Sequence, residues 1–287
     1  MQLAESHIAE TLEKPIRFQE YAVGIFKTIP TKSGIKKAIK KGLIFIDENL
    51  ATTSKYISGK EKIELFQTEN SSTFERLKLD LEVLFEDDYL AIIYKPAGIL
   101  VSGNKFVTIA NGLAQNLKKS RQIDAVKPQP IHRLDYPTSG LLLVGKTSTA
   151  IQKLSKLFEV KDIKKIYFAI TIGEMNKKGS IKSSISEKES HTDYEVLESV
   201  NSNRFNFLNL VKLSPKTGRK HQLRIHLHSI KNPILGDKEH YIENKILNGK
   251  GLFLHAATLE FNHPFTDEKI IISKELPKKF IKIFPKF

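Results

Sequence analysis

The sequence predicts an α+β protein in which a small α/β domain precedes a larger domain built on a mixed, mostly antiparallel sheet. Two observations predict the sheet: residues 81–85 and 89–94 are apolar runs on either side of a polar turn, and 193–198 and 205–213 have the pattern of antiparallel strands. Other segments repeat apolar residues at helical spacing. With 287 residues, 40% of them hydrophobic, the chain can bury the core of such a fold.

The formal net charge of +14 indicates a polyanionic partner. Solubility alone would be served by a smaller charge, so RNA, DNA or an anionic membrane surface is the expected partner class. A membrane is the weaker choice, because no apolar run approaches the length of a span and no signal-like segment opens the chain. The absence of cysteine excludes disulfides and thiolate sites and fits a cytoplasmic protein.

A basic helix is the first strongly patterned element. Residues 21–46 contain no acidic side chain but six lysines. We expect a helix that Ser33 caps and Gly42 ends, since a hydroxyl suits the first position and a glycine the last. Its apolar face would carry Ile35, Ala38 and Ile39. Residues 43–46 and 62–66 then read as strands, with a tight turn at 47–49 after the first of them.

Lysines occupy the opposite side of this helix, and the pattern over residues 32–47 resembles the S-four-type RNA-binding domain, which is named after a ribosomal protein. The resemblance implies an RNA-binding domain over residues 15–68. We expect four side chains to contact RNA phosphates, although a merely solvated lysine face is the alternative. These are Lys36, Lys37, Lys40 and Lys41. Residues 67–72 have the composition of a linker, so a second domain is expected over residues 79–287.

The second domain is expected to contain several helices. Residues 108–119 and a segment that begins at Thr147 or Ser148 both carry apolar stripes at helical spacing. Between them and the next helix, 165–173 reads as a strand. A helix that includes Leu223 and Leu227 follows, and the lysine-rich segment 278–286 is expected to form a last helix.

The segment Ile-His-Arg-Leu-Asp-Tyr-Pro-Thr-Ser-Gly-Leu-Leu-Leu-Val, residues 131–144, organises the second domain. Proline followed by Thr-Ser-Gly favours a turn, and Leu141–Val144 reads as a strand buried on both faces. Asp135 therefore sits on a loop held by a rigid strand, a common place for a catalytic group. From the residues alone, the alternative is that Asp135 pairs with His132 or Arg133 and only stabilises the turn.

Within that segment, His-Arg-Leu-Asp-x-x-Thr-Ser-Gly-Leu-Leu-Leu resembles the catalytic loop of the RluA-type pseudouridine synthases at every fixed position. The resemblance extends over about residues 81–264. It includes Lys-Pro-Ala-Gly at 95–98, Lys-x-Tyr-x-Ala at 165–169 and Thr-Gly-Arg-x-His-Gln-x-Arg-x-His at 217–226. The fold that it implies is a pseudouridine synthase domain with a central cleft.

The resemblance also implies the roles of individual residues. Asp135 would be the catalytic aspartate, in the central cleft of the sheet. Arg133 would fill the gap that the extruded base leaves in the RNA, and Tyr167 would face that base. Arg224 would pair with Asp135, and we expect its guanidinium to orient the carboxylate through a bidentate fork.

The chemistry that the resemblance implies is the isomerisation of uridine to pseudouridine. It involves no hydrolysis, oxidation or group donor, so no cofactor is expected. The carboxylate can attack the sugar or the ring, or it can remove a proton from the ribose, and the sequence leaves both routes open. His221, His226 and His228 lack the spacing and the carboxylate partner of a metal site, so no metal is expected.

The resemblance thus implies an RNA isomerase, and large-subunit ribosomal RNA is the favoured substrate because relatives with this N-terminal domain usually act there. Transfer RNA is the alternative within the family, and we expect a monomer. A non-catalytic RNA-binding or ribosome-assembly protein would not need the Asp135 loop together with Arg224. A carboxylate-based hydrolase would need a second acid or a metal cage, and the sequence shows neither.

Overall fold

The computed structural model describes residues 1–67 and 77–287, and the chain divides into two compact units, 1–76 and 77–287. The predicted linker at 67–72 lies outside the described residues except for Gln67, which ends a strand. Among the described residues, no helix is both long enough and apolar enough to cross a membrane.

The first unit combines short strands with two helices in the residues described. The elements are β1 (Gln2–Ile8), β2 (Ile16–Arg17), α1 (Phe18–Tyr21), α2 (Lys32–Lys40), β3 (Ile44–Ile46), β4 (Asn49–Leu50), β5 (Tyr56–Ile57) and β6 (Lys62–Gln67). One antiparallel sheet has the order β1-β6-β3-β4, and β2 pairs with β5. The sequence does not predict β1, because this strand carries few apolar residues and none of its side chains is fully buried.

Helix α2 is the expected basic helix, but its cap differs from the prediction. The Thr31 hydroxyl, not that of Ser33, accepts a hydrogen bond from the Gly34 amide at 3.1 Å. The backbone of Thr31 is extended, so the helix starts at Lys32 and Ser33 already lies inside the first turn. Ile35 and Ala38 are buried against the core of the unit. The four lysines of the opposite side are all exposed: Lys36, Lys37, Lys40 and Lys41.

The second unit is built on a ten-stranded sheet, accompanied by four helices among the described residues. Its elements are β7 (Val83–Glu86), β8 (Leu90–Lys95), α3 (Ile109–Asn116), β9 (Ala125–Pro130), β10 (Ser139–Thr147), α4 (Ser148–Glu159), β11 (Lys164–Ile172), β12 (Lys178–Lys182), β13 (His191–Ser202), β14 (Asn206–Pro215), α5 (Gln222–Ser229), β15 (Leu254–Asn262), β16 (Lys269–Ser273) and α6 (Lys278–Ile281). The main strand order is β12-β13-β14-β11-β15-β10-β8-β7, with β16 beside β15 and β9 beside β10. Because β10 and β15 run parallel and the other pairs run antiparallel, the mixed, mostly antiparallel sheet of the predicted α+β fold is confirmed.

Strand β10 lies in the middle of this sheet, and all nine of its residues are buried. It enters the sheet at Gly140, which has a φ of +128° and lies opposite Ala256 of β15. A Cβ atom at this position would lie 2.2 Å from the Ala256 carbonyl oxygen, so only glycine allows the two strands to approach. The loop that carries Asp135 leads directly into this point and is thereby attached to the rigid centre of the sheet.

The helices of the second unit follow the sequence with one exception. Thr147, one of the two expected residues, caps α4, and Thr108 caps α3, for which no cap was predicted. The predicted helix over 278–286 is wrong in length, because α6 ends at Ile281. Phe280 and Phe284 are buried in the core, and the residue before Pro285 is biased away from helical backbone angles.

Candidate active site

A cavity of about 350 Å³ opens between the Asp135 loop, β11 and the start of α5. Asp135, Arg133, Tyr167 and Arg224 all line it, so the structure brings together the four site residues predicted in the second unit. The side chain of Asp135 is 18% exposed, which leaves its carboxylate open to the cavity but largely shielded from solvent.

Lys95 anchors the backbone of the Asp135 loop, a role that the sequence does not reveal. Its ammonium group is fully buried and donates hydrogen bonds to the carbonyl oxygens of Pro96, Tyr136 and Thr138 at 3.0, 3.3 and 2.7 Å. Burial lowers the pKa of Lys95 to about 8, and the nearby charge of Asp135 acts in the opposite direction. The Lys-Pro-Ala-Gly motif therefore contributes a cation that fixes the backbone on either side of the turn.

The guanidinium of Arg224 makes its bidentate contact with Asp237, and the predicted fork onto Asp135 is wrong. Arg224 Nε donates to Asp237 Oδ2 at 2.7 Å, and Nη2 donates to Asp237 Oδ1 at 2.6 Å. Nη2 also donates to Glu239 at 2.9 Å. Burial alone would lower the pKa of Arg224, but the hydrogen bonds with Asp237 and Glu239 outweigh it and raise that pKa. Arg224 is therefore a permanent cation inside the unit.

The remaining nitrogen of Arg224 faces the cavity. Nη1 lies 3.8 Å from Asp135 Oδ2, which is an ion pair but is too long for a hydrogen bond. In the described part of the chain, Nη1 is buried and has no hydrogen-bond partner. His221 approaches the other carboxylate oxygen, with Nε2 3.9 Å from Asp135 Oδ1. Asp135 thus keeps a compensating cation beside it while both of its oxygens stay available to a substrate.

Tyr167 forms an apolar wall of the cavity. Burial raises the pKa of its phenol, and the negative charge of Asp135 raises it further, so the side chain is neutral at physiological pH. Arg133 is exposed at the rim of the cavity. A neutral phenol ring beside a carboxylate suits the binding of a planar, uncharged ring.

His132 has a structural role. Its Nε2 accepts a hydrogen bond from the Leu143 amide at 3.0 Å, which requires an unprotonated nitrogen. Burial lowers the pKa of His132 to about 3, and the positive charge of Lys165 adds to the effect. In the described residues, neither His132 nor Arg133 forms an ion pair with Asp135. The simple turn-stabilising alternative for Asp135 therefore has no support in these contacts.

The three histidines considered for a metal do not converge. His226 is bonded to Ser190 and Thr192, and His228 to the carbonyl of Tyr241. His221 has a left-handed backbone at the N-cap of α5 and so lies outside that helix. It lies near Glu239 and His240 instead. One potential ligand atom from each of these three residues lies within 4.8 Å of the other two. Arg224 already hydrogen-bonds the carboxylate of that group, so a cation there would compete with a guanidinium.

The family follows from comparisons with known proteins. Residues 89–229 match the model of the RNA pseudouridylate synthase family. Ribosomal large subunit pseudouridine synthase D of Nitrosomonas europaea is 30% identical over 273 residues, which cover 86% of this chain and 77% of the relative. The chain belongs to the RNA pseudouridine synthase family. The family expected from the sequence motifs is therefore confirmed, and the protein belongs to a class of RNA isomerases.

Two further comparisons agree with this assignment. The tRNA pseudouridine synthase C of Haemophilus ducreyi is 35% identical over 239 residues, covering 73% of this chain and 96% of the relative. The solved structure of human RNA Pseudouridylate Synthase Domain Containing 4 superposes with a TM-score of 0.57 at 25% identity. That match covers 70% of this chain and 90% of the human chain.

The contact between Arg224 and Asp237 predicts a large difference between two acidic residues. Asp237→Asn removes the charge that compensates a buried guanidinium, so the free energy of unfolding should fall by about 3–5 kcal/mol. Glu239→Gln removes a carboxylate whose side chain is 59% exposed, and the loss should stay below about 1 kcal/mol. Urea unfolding of both variants, followed by circular dichroism, measures the two values. Equal losses would contradict the role given to Asp237.

Proposed function

We propose that this protein converts specific uridines of large-subunit ribosomal RNA to pseudouridine, with Asp135 as the catalytic carboxylate. The observation that carries the proposal is the carboxylate of Asp135 in a cavity, with the free Nη1 of Arg224 at 3.8 Å and Tyr167 on the wall. The proposal includes action in the cytoplasm as a monomer, without a metal or a cofactor. Transfer RNA is the alternative substrate within the family.

Access to the target base requires that it leave the RNA stack. Extrusion of a base costs roughly a few kcal/mol, which a side chain inserted into the gap helps to offset. Arg133 is suited to this role because it is exposed at the rim beside the Asp135 loop. The cavity volume of about 350 Å³ lies within the range of pockets that enclose small molecules. Tyr167 would then stack against the extruded uracil.

The reaction breaks the bond between the uracil nitrogen and the ribose, rotates the base and joins the ribose to a ring carbon. The hydrogen on that carbon is lost as a proton, and the released nitrogen gains one, so the atoms balance without a co-reactant. Asp135 can act as a nucleophile on the sugar or the ring, or as a base toward the ribose. In each case Arg224 compensates the carboxylate charge, and Lys95 keeps the loop in place.

The basic helix of the first unit favours a substrate that is a whole RNA molecule and not a free nucleotide. We assign an S-four-type RNA-binding domain to residues 15–68 and the catalytic domain to residues 79–287. Four exposed lysines cluster on one side of α2, as expected for a basic surface that contacts RNA phosphates. Such contacts orient an RNA without reading its sequence. They are Lys36, Lys37, Lys40 and Lys41.

Chemical mapping of pseudouridines tests the substrate directly. Total ribosomal and transfer RNA from cells with and without this gene should differ at one or a few uridines of large-subunit RNA. Reintroduction of the wild-type gene should restore the missing sites. A site missing only from transfer RNA would replace the proposed substrate with the alternative, and an unchanged map in both RNAs would contradict the proposed function.

The lysines of α2 can be tested through the salt dependence of RNA binding. Replacing Lys36, Lys37, Lys40 and Lys41 with Gln should weaken binding and reduce its salt dependence. Each lost phosphate contact lowers the logarithmic slope by up to ~0.9, and somewhat less for single strands. Filter binding over a range of salt concentrations measures both quantities.

A matched control removes the same charge elsewhere in the first unit, at four other exposed lysines: Lys14, Lys27, Lys55 and Lys60. This variant should keep a steeper salt dependence than the α2 variant. If the two variants behave alike, the α2 lysines act only through net charge and are not a binding surface.

A further inference from the structure

Lys165 lies in the catalytic cavity and has no part in the chemistry described above. It precedes Tyr167 by two residues on β11, and alternation along a strand places both side chains on one face. Both line the cavity, and Lys165 is half-buried. The Phe158 ring has Lys165 Nζ 5.6 Å from its centroid and the His132 ring at 4.8 Å, so Lys165 lies on the side of the cavity where His132 lies.

The ammonium of Lys165 differs from the other desolvated lysines of the second unit in lacking an oxygen acceptor. Lys95 donates to three carbonyl groups, Lys146 to Glu86 at 2.7 Å, and Lys279 to the Leu252 carbonyl at 2.6 Å. Within residues 1–67 and 77–287, the ammonium group of Lys165 forms no hydrogen bond or ion pair. Its one polar contact there is with the Phe158 ring, whose centroid lies 5.6 Å from Nζ.

Partial burial of Lys165 reduces the hydration of its ammonium group in the free protein. Burial lowers the pKa of Lys165, and no nearby carboxylate opposes this effect. A cation–π contact offsets only part of the desolvation, because it is weaker than a bond to a charged acceptor. The position of Lys165 is best explained if an anionic group of the substrate accepts a hydrogen bond from its ammonium, because stability is often given up at functional sites.

The charged residues that line the cavity indicate which part of an RNA substrate supplies this anion. Four other cationic side chains line the same cavity, against the single carboxylate of Asp135. They are Arg133, Arg219, Lys220 and Arg224. Arg224 is already paired with Asp135, Asp237 and Glu239, so the charges available to an incoming ligand are those of the other three cationic side chains and of Lys165. In an RNA substrate the base and the ribose are neutral, and the phosphates carry the negative charge.

We propose that Lys165 binds a backbone phosphate next to the target uridine and thereby positions the extruded nucleotide between Tyr167 and Asp135. This inference rests on the proposed function and adds a substrate contact to the same site. Since a phosphate contact carries no sequence information, Lys165 would help to hold any target nucleotide that enters the cavity. It is a positioning residue, not the group that reacts.

The test combines a protein change with removal of one phosphate charge. The substrate is a short transcript around a uridine that the mapping identifies, made with one neutral methylphosphonate either 5′ or 3′ of that uridine. A 2′-O-methyl group beside the neutral linkage protects it from cleavage, and a phosphodiester with the same 2′-O-methyl group is the reference. Affinity and single-turnover conversion are measured for wild type, Lys165→Met, Lys165→Arg and Lys164→Met.

Lys165→Met and one of the two methylphosphonates should each weaken binding by about tenfold or more, as expected for loss of a charged hydrogen bond. Together they should cause no further loss beyond about twofold, because both remove the same contact. Lys165→Arg should restore most of the affinity. Lys164 is exposed and paired with Glu260 at 3.0 Å, so Lys164→Met should leave the full methylphosphonate effect in place.

Thermal melting distinguishes this role from a structural one. Removal of an uncompensated cation should leave the melting temperature of Lys165→Met equal to or above that of wild type, whereas a structural lysine would lower it. The proposed phosphate contact is contradicted if the affinity losses from Lys165→Met and from the methylphosphonate multiply at both positions. It is also contradicted if Lys165→Met melts well below wild type. If wild type does not convert the unmodified transcript, the proposed function fails as well, so the two failures can be told apart.

Discussion

The cavity around Asp135 depends on the buried contact between Arg224 and Asp237. Arg224 is 2% exposed and the side chain of Asp237 is fully buried, so each needs the other to remain charged inside the unit. Burial would raise the pKa of Asp237, but its hydrogen bonds to Arg224 and to the amides of Glu239 and His240 hold that pKa below its usual range. A buried ion pair of this kind can fix geometry while it adds little net stability. Here it fixes the direction of one guanidinium nitrogen.

The position of Asp135 depends on this nitrogen, which faces its carboxylate, and on the loop that holds its backbone. Lys95 bonds the carbonyl groups that flank the turn, and Gly140 allows the following strand to enter the sheet beside β15. The backbone of Asp135 is therefore held by β8 and β10, and its carboxylate faces a cation held by α5. Preorganisation of this type would assist the proposed reaction at Asp135, because little movement is needed when the substrate binds.

Much of this arrangement follows from the sequence. The loop that presents Asp135, the buried strand after it and the cap at Thr147 are local features, set by residues close together in the chain. The partner of Arg224 is not local. Asp237 comes into place through the loop after α5, and a sequence pattern does not show which of two carboxylates a guanidinium will bind. The resemblance implied a pair between Arg224 and Asp135, and the two side chains do form an ion pair, but the bidentate fork that we expected goes to Asp237.

Other differences have the same origin. Thr31 and Ser33 both offer a hydroxyl near the start of α2, and the extended backbone of Thr31 decides between them. The lysines of segment 278–286 indicate an exposed helix, yet Phe280 and Phe284 bring that segment into the core. Lys95 is part of a motif that can be recognised, but its contacts with carbonyl groups 41 and 43 residues away depend on the fold. Tertiary contacts, not local propensity, set each of these outcomes.

The central claim is that Asp135 carries the reaction, and single-turnover conversion of uridine to pseudouridine at saturating enzyme tests it most directly. Asp135→Asn keeps the shape of the side chain but removes its charge and its ability to act as nucleophile or base. It should abolish conversion while RNA affinity and melting temperature stay close to wild type. Asp267→Asn, a change of the same kind in an exposed turn, should react at the wild-type rate. Conversion by Asp135→Asn within about tenfold of wild type, a barrier change of no more than about 1.4 kcal/mol, would contradict the account.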